Sequence, residues 1–114
     1  MTNYVWVTAE KAMIHKYEMA PDEVSFLRNL HRHLFKFKVF IEVRHNDRDI
    51  EFFMFKRFIE SVLYIMKTDV GNYSCEHMAD HINKCITKKY NGRKTKIEVS
   101  EDNENGIIKS YDNE

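Results

Sequence analysis

Between Phe35 and Arg44 the chain alternates in steps of one residue. Phe35, Phe37, Val39, Ile41 and Val43 take one parity, and Lys36, Lys38, Phe40, Glu42 and Arg44 take the other. A period of two with one apolar face predicts a strand half buried against a core. Upstream, the aromatic and β-branched run Tyr4 to Val7 predicts a first strand reaching toward His15. Between the two, Ala20-Pro21-Asp22 announces a turn, and Glu23 to Leu30 suits a short helix with Val24 and Leu27 inward. Asn46-Asp47 marks a reversal, after which Ile50 to Phe53 reads as a brief strand. The spacing then changes. Phe55, Phe58, Ile59, Val62, Leu63 and Met66 fall on one helical face, with Lys56, Arg57 and Glu60 outside, which predicts a helix over Met54 to Met66 ended by Gly71-Asn72. Ser74 is a good N-cap for a second helix reaching Lys89, whose buried stripe is Met78, Ala79, Ile82 and Ile86. Asn91-Gly92 turns the chain into a strand over Lys96 to Glu101, and Asn105-Gly106 leads to a last one, Ile107 to Tyr111. The order ββααββ predicts an α+β fold, a four-stranded antiparallel sheet with two helices on one face. No repeat or internal boundary interrupts it, so residues 1–114 read as one domain.

Composition narrows the class. Of 114 residues, 43% are hydrophobic and 13% aromatic, enough for one packed core. Lys plus Arg equals Asp plus Glu, 18 against 18, so no net field draws in nucleic acid or an anionic membrane, and neither is expected as a partner. No run has the length of a bilayer span, and the first residues lack the layout of a signal peptide. Cys75 and Cys85 are ten apart on one predicted helix, about 15 Å of rise, too far for a disulfide. Reduced thiols and a cytoplasmic location are the expectation.

Chemistry concentrates in a few side chains. His31 and His33 share parity at the start of the strong strand, so extended backbone throws both imidazoles to one side. His15, at the end of the first strand, is the best third ligand. Three His on a metal leave a fourth position for water or substrate, as catalytic zinc requires. Against this, a His-x-His pair in a soluble protein is more often two unrelated hydrogen-bonding groups. Glu101 has the parity of Ile97 and Val99, which puts a carboxylate on an apolar face where it needs a partner; alternatively it joins the acidic turn Glu101 to Glu104. His77 and His81 lie four apart on the second helix, a geometry metals can use, although a solvated face is the simpler reading. Cys75 sits where a helix dipole lowers a thiol pKa, although small buried residues of this kind are usually inert.

The order of His15, His31-Arg32-His33, Ser74-Cys75-Glu76-His77-Met78-Ala79 and Val99-Ser100-Glu101 resembles the 6-pyruvoyltetrahydropterin synthase and 6-carboxytetrahydropterin synthase family, over about Val5 to Tyr111. Asp49-Ile50-Glu51-Phe52 is similar to that family's segment before its first helix. The resemblance implies a tunnelling fold whose subunits join into a barrel, as a trimer-based or hexameric homo-oligomer. It implies Zn2+ on His15, His31 and His33, and a pterin or purine-like ring anchored by Glu101. Two departures stand out. The stretch Lys16 to Leu30 has no counterpart of the family's catalytic cysteine, only Ser25 and Tyr17 as hydroxyls. The family's Asp-His pair is also unmatched, since Lys67 to Tyr73 offers Asp69 alone. The expected activity is a zinc-dependent lyase of the pterin synthase type, with Asp69, Glu76 or His77 as the proton-moving group. The alternative is an altered member that binds or sequesters a pterin, purine or nucleotide without turnover.

Overall fold

The computed structural model describes residues 2–114. Strands β1 (Asn3–His15), β2 (His31–Val43), β3 (Thr95–Glu101) and β4 (Asn105–Tyr111) form one antiparallel sheet in the order β1-β2-β3-β4. Helices α1 (Phe52–Ile65) and α2 (Cys75–Lys89) cross one face, α1 against β1 and α2 against β3 and β4. This is the ββααββ arrangement that the hydrophobic pattern predicts. Among the described residues no helix is long and apolar enough to cross a membrane.

The alternation in β2 is what seats the core. Phe35, Phe37, Val39 and Ile41 are all buried, with Val7 and Met13 beside them on β1 and Ile97 and Val99 on β3. Phe55, Ile59, Val62 and Leu63 close the layer from α1, and Met78, Ala79, Ile82 and Ile86 from α2. Burial of each such side chain contributes about 1.5–3 kcal/mol. One polar knot lies among them. The Thr95 hydroxyl donates to Asn83 Oδ1 (2.6 Å), and the Asn83 and Asn113 amides exchange hydrogen bonds of 2.9 Å, which fastens the C-terminal tail to α2.

Three elements differ from expectation. Strand β1 runs on past Val7 to His15, because all thirteen of its residues pair with β2, from Asn3↔Val43 to His15↔His31. Ala9-Glu10-Lys11-Ala12 has little strand preference of its own, so cross-strand pairing overrides it. Lys11 shares the core-facing parity, yet its charge is satisfied there: its Nζ donates to the carbonyl of Leu63 (2.6 Å) and to that of Met66, at the open C-terminal end of α1. The brief strand expected over Ile50 to Phe53 does not form. Glu51 instead caps α1, its carboxylate accepting from Phe53 N (2.9 Å) and Met54 N (3.2 Å), so the helix begins at Phe52. Ile50 is buried as a loop residue. The short helix after Pro21 is a 3-10 segment, Asp22–Arg28, broken at Val24 (φ −129°, ψ 37°). Val24 and Leu27 are only half-buried there.

The turn after β2 is pinned by one carboxylate. Asp49 accepts from Arg93 Nη1 (2.6 Å) and from the Arg44 N–H (2.8 Å). The Arg93 hydrogen bond, then that of Arg44, pulls the Asp49 pKa from 3.8 to about 2. A depressed carboxyl pKa stabilises the fold above its ordinary value, and that contribution is lost as pH falls through the folded one. Asp49→Asn is therefore expected to lower the melting temperature at pH 7, with the gap to wild type closing between about pH 4 and about pH 2. Melting curves of both proteins across that range check it; a gap that is unchanged at the acid end contradicts the assignment.

Candidate metal centre

The antiparallel ladder brings the three histidines together. His15 lies directly opposite His31, and His33 lies opposite Met13 one pleat further in, all on the face that bears the core. Their rings pack edge to face, with centroids 4.5 Å apart for His15–His31, 5.0 Å for His31–His33 and 5.4 Å for His15–His33. Phe35, fully buried, forms the floor beneath His15 and His33. One nitrogen from each ring falls within 4.8 Å of the other two, so the cluster can hold a metal ion.

What the rings do on their far sides settles which nitrogen faces inward. His15 Nδ1 is 2.8 Å from the Tyr73 carbonyl, and His31 Nδ1 is 2.9 Å from the Asn29 carbonyl. His33 Nδ1 is 2.7 Å from Asp102 Oδ2. A carbonyl oxygen and a carboxylate can only accept, so each Nδ1 carries the proton and each Nε2 of the neutral ring is left as a lone pair. All three Nε2 atoms are buried and have no hydrogen-bond partner. Three buried acceptors aimed at one another are costly alone, and a shared cation satisfies all three. Ligand histidines held from behind by carbonyl or carboxylate groups are the usual construction of such centres.

Each support has a structural origin. The chain between α1 and α2 runs along the end of β1, with Ile14 N–H donating to the Thr68 carbonyl (2.8 Å) and Lys16 N–H to that of Gly71 (2.8 Å). That docking delivers the Tyr73 carbonyl to His15. Asp102 begins the β3–β4 turn with φ +54°, followed by Asn103 at +59°, a conformation that Asp and Asn tolerate. Its second oxygen accepts from Leu34 N–H (2.9 Å), and the His33 N–H, then that of Leu34, holds its carboxyl below the ordinary range. Gly106 completes the hairpin, because a Cβ there would run into the Val99 carbonyl.

Glu101, the last residue of β3, reaches the same place. Its Oε2 is 3.1 Å from His15 Nε2 and 3.8 Å from His33 Nε2. At 3.1 Å the first pair is close enough for a hydrogen bond, yet its alignment is not that of one, since His15 Nε2 remains unpartnered. Beside the cluster opens a cavity of about 590 Å³, lined by His15, His31 and Glu101 and, from the start of α2, by Cys75, Glu76 and His77. His15, His31, Glu101, Glu76 and His77 thus line one cavity. His77 is committed locally: its Nδ1 accepts from Ser74 N–H (3.1 Å) while Ser74 Oγ accepts from His77 N–H (3.1 Å), a reciprocal cap for α2. Its Nε2 therefore carries the proton and presents a donor. Asp69 is not part of the group. It accepts from Gly71 N–H (2.9 Å) and lines a different cavity, with His81 and Tyr73. Cys75 is buried, and desolvation, reinforced by the charges of Glu101 and Glu76, pushes its thiol up to about 12, the reverse of a helix-start activation. Both cysteines are free.

Sequence reasoning named the three histidines and Glu101, which the fold brings close together, and it missed their supports. Asp102 carried a signal only as part of an acidic turn. The carbonyls of Tyr73 and Asn29 carry none, because any residue supplies one.

Asp102→Asn tests the role of that support. The amide nitrogen that replaces Oδ2 would donate to His33 Nδ1, drive the proton to Nε2 and remove one ligand. Metal affinity measured by chelator competition is expected to fall about 10–100-fold; unchanged affinity would show that Asp102 does not set the His33 tautomer. Neither a scan against models of protein families nor a search of curated proteins returns a match for this chain.

Proposed function

We propose that the protein is a zinc-dependent lyase-like enzyme acting on a pterin or related purine-derived ring, of the 6-pyruvoyltetrahydropterin and 6-carboxytetrahydropterin synthase type. The observation that carries this is the convergence of three lone-pair Nε2 atoms beside Glu101 at the mouth of a cavity. Three neutral imidazoles suit zinc, which holds such sites with one position left for a substrate oxygen. Bound there, zinc supplies Lewis-acid polarisation of a carbonyl or hydroxyl on the substrate side chain. The chain's own groups do the rest. Glu101 accepts hydrogen bonds from ring amino and N–H groups. His77, with its Nε2–H free, donates to a substrate oxygen. Glu76, on the same cavity wall, is the carboxylate in reach to move a proton.

A second reading, binding or sequestration of the ring without turnover, draws support from three facts. Residues 16–30 contain no cysteine, Asp69 faces a separate cavity, and the acceptor nitrogen of His77 is occupied by the helix cap. Purified protein is expected to carry close to one zinc per chain, lost in the His31→Ala, His33→Ala double variant. Incubation with dihydroneopterin triphosphate, followed by mass spectrometry, is expected to show loss of triphosphate, with the side-chain carbons retained in a 6-pyruvoyl product and shortened in a 6-carboxy product. An intact compound that still raises the melting temperature selects the binder, and protein that takes up no metal ends the zinc-dependent reading.

The assembly belongs to the same proposal. Strands β1 and β4 are both sheet edges, β1 being covered at its end by residues 68–71, and the face opposite the helices carries exposed Trp6 and Ile108. Open edges of this kind pair with a neighbouring subunit, which supports closure of several sheets into a barrel as a trimer-based or hexameric homo-oligomer. Sedimentation at micromolar concentration is expected to give a multiple of the 13.8 kDa chain, whereas a monomer would remove the barrel.

A further inference from the structure

We infer that Glu101 is itself a metal ligand, the fourth, so that the centre is closed by protein until an incoming ligand draws the carboxylate away. The inference rests on the metal reading above and extends it to a residue so far assigned only to ring recognition.

The argument begins with a repulsion. His15 gives its only proton to the Tyr73 carbonyl, so the atom 3.1 Å from Glu101 Oε2 is a lone-pair nitrogen. A lone pair and a carboxylate at that distance repel unless something positive lies between them. A proton in line between the two would make a hydrogen bond, and the alignment is not that of one. Two donors that stand close without pointing at each other are arranged as neighbouring corners of one coordination shell. Corners of a tetrahedron with metal–ligand bonds of about 2.0–2.2 Å lie about 3.3–3.6 Å apart. The distances from Glu101 Oε2 to His15 and His33, 3.1 and 3.8 Å, bracket that value. Glu101 stands outside the set whose donor atoms all lie within 4.8 Å of one another, so a turn of its side chain toward His31 completes the shell.

The backbone supports the same assignment. Glu101 is fixed in register at the end of β3, opposite Phe35 on β2 and Asn105 on β4, and the next residue is the Asp102 that orients His33. Its parity points the side chain to the core face, where it is about one-quarter exposed and lines the cavity. Sheet register thus places the Cα, and the side-chain torsions of Glu leave the carboxylate free to turn between the metal and the cavity. Turning the carboxylate toward a ring in the cavity takes it off the cation, which frees the coordination position that the ring's own side chain needs and couples recognition of the ring to access to the metal.

Replacing zinc with Co2+ makes the coordination shell visible by its ligand-field absorption. Wild type and Glu101→Gln are compared as cobalt proteins, and their zinc affinities are measured by chelator competition. The expected result is a changed cobalt spectrum in Glu101→Gln and zinc binding at least about tenfold weaker, beyond the low end of what a supporting partner costs. Glu101→Asp, one methylene shorter with the charge kept, is expected to fall between the two. Melting of the metal-free proteins shows that the variants are folded. Equal spectra and equal zinc affinity in folded wild type and Glu101→Gln overturn the assignment while leaving the three-histidine centre standing. Wild type without stoichiometric metal removes the centre and this inference together.

Discussion

Three hydrogen bonds on the outer sides of the imidazoles decide what this molecule can do. Each gives an Nδ1 proton to an oxygen that has none to return, and each thereby turns an Nε2 lone pair toward a common point. Without them the histidines would be free to flip or exchange tautomers, and the cluster would be three polar rings packed against Phe35. The rest of the architecture serves those contacts. The α1–α2 connection lies along β1 and supplies one acceptor, the chain entering β2 supplies the second, and the β3–β4 turn supplies the third.

Elements whose side chains carry their own signal were legible in the sequence. The strict alternation of β2 and the helical stripes of α1 and α2 announce themselves because burial and periodicity coincide there. Strand β1 was only half visible, since its middle is held by a partner rather than by its own preference, and Lys11 disguises a core-facing position by stretching to the end of α1. Phe52 and Phe53 look like strand residues, and only the capping geometry of Glu51 shows that they open a helix. The histidine cluster was readable, His31 and His33 from their shared parity and His15 from its place at the end of the first strand. Their supports were not, because two of the three are peptide carbonyls and the third sits in a turn rich in interchangeable acids.

Cys75 shows how competing effects were resolved. A helix start favours thiolate, but the dipole acts over a short range and is worth no more than about 2 kcal/mol even when partly buried. Here the thiol is withdrawn from water, and desolvation, reinforced by the charges of Glu101 and Glu76, wins. His77, two residues on, is likewise claimed by local structure, since the cap of α2 uses its acceptor nitrogen. The opening of α2 therefore offers the cavity a donor and a carboxylate but no ready nucleophile.

The thirteen-rung ladder between β1 and β2 acts as a ruler for the centre. His15 and His31 face each other at its last rung, and the count of residues along two strands sets which residues meet there. A slip of one position would send His15 to the opposite face of the sheet while its partners stayed behind. Length changes that keep this register are thus confined to the loops: an insertion between β1 and β2 that spares Asn29 leaves the ladder count intact, whereas a single added residue inside either strand shifts it.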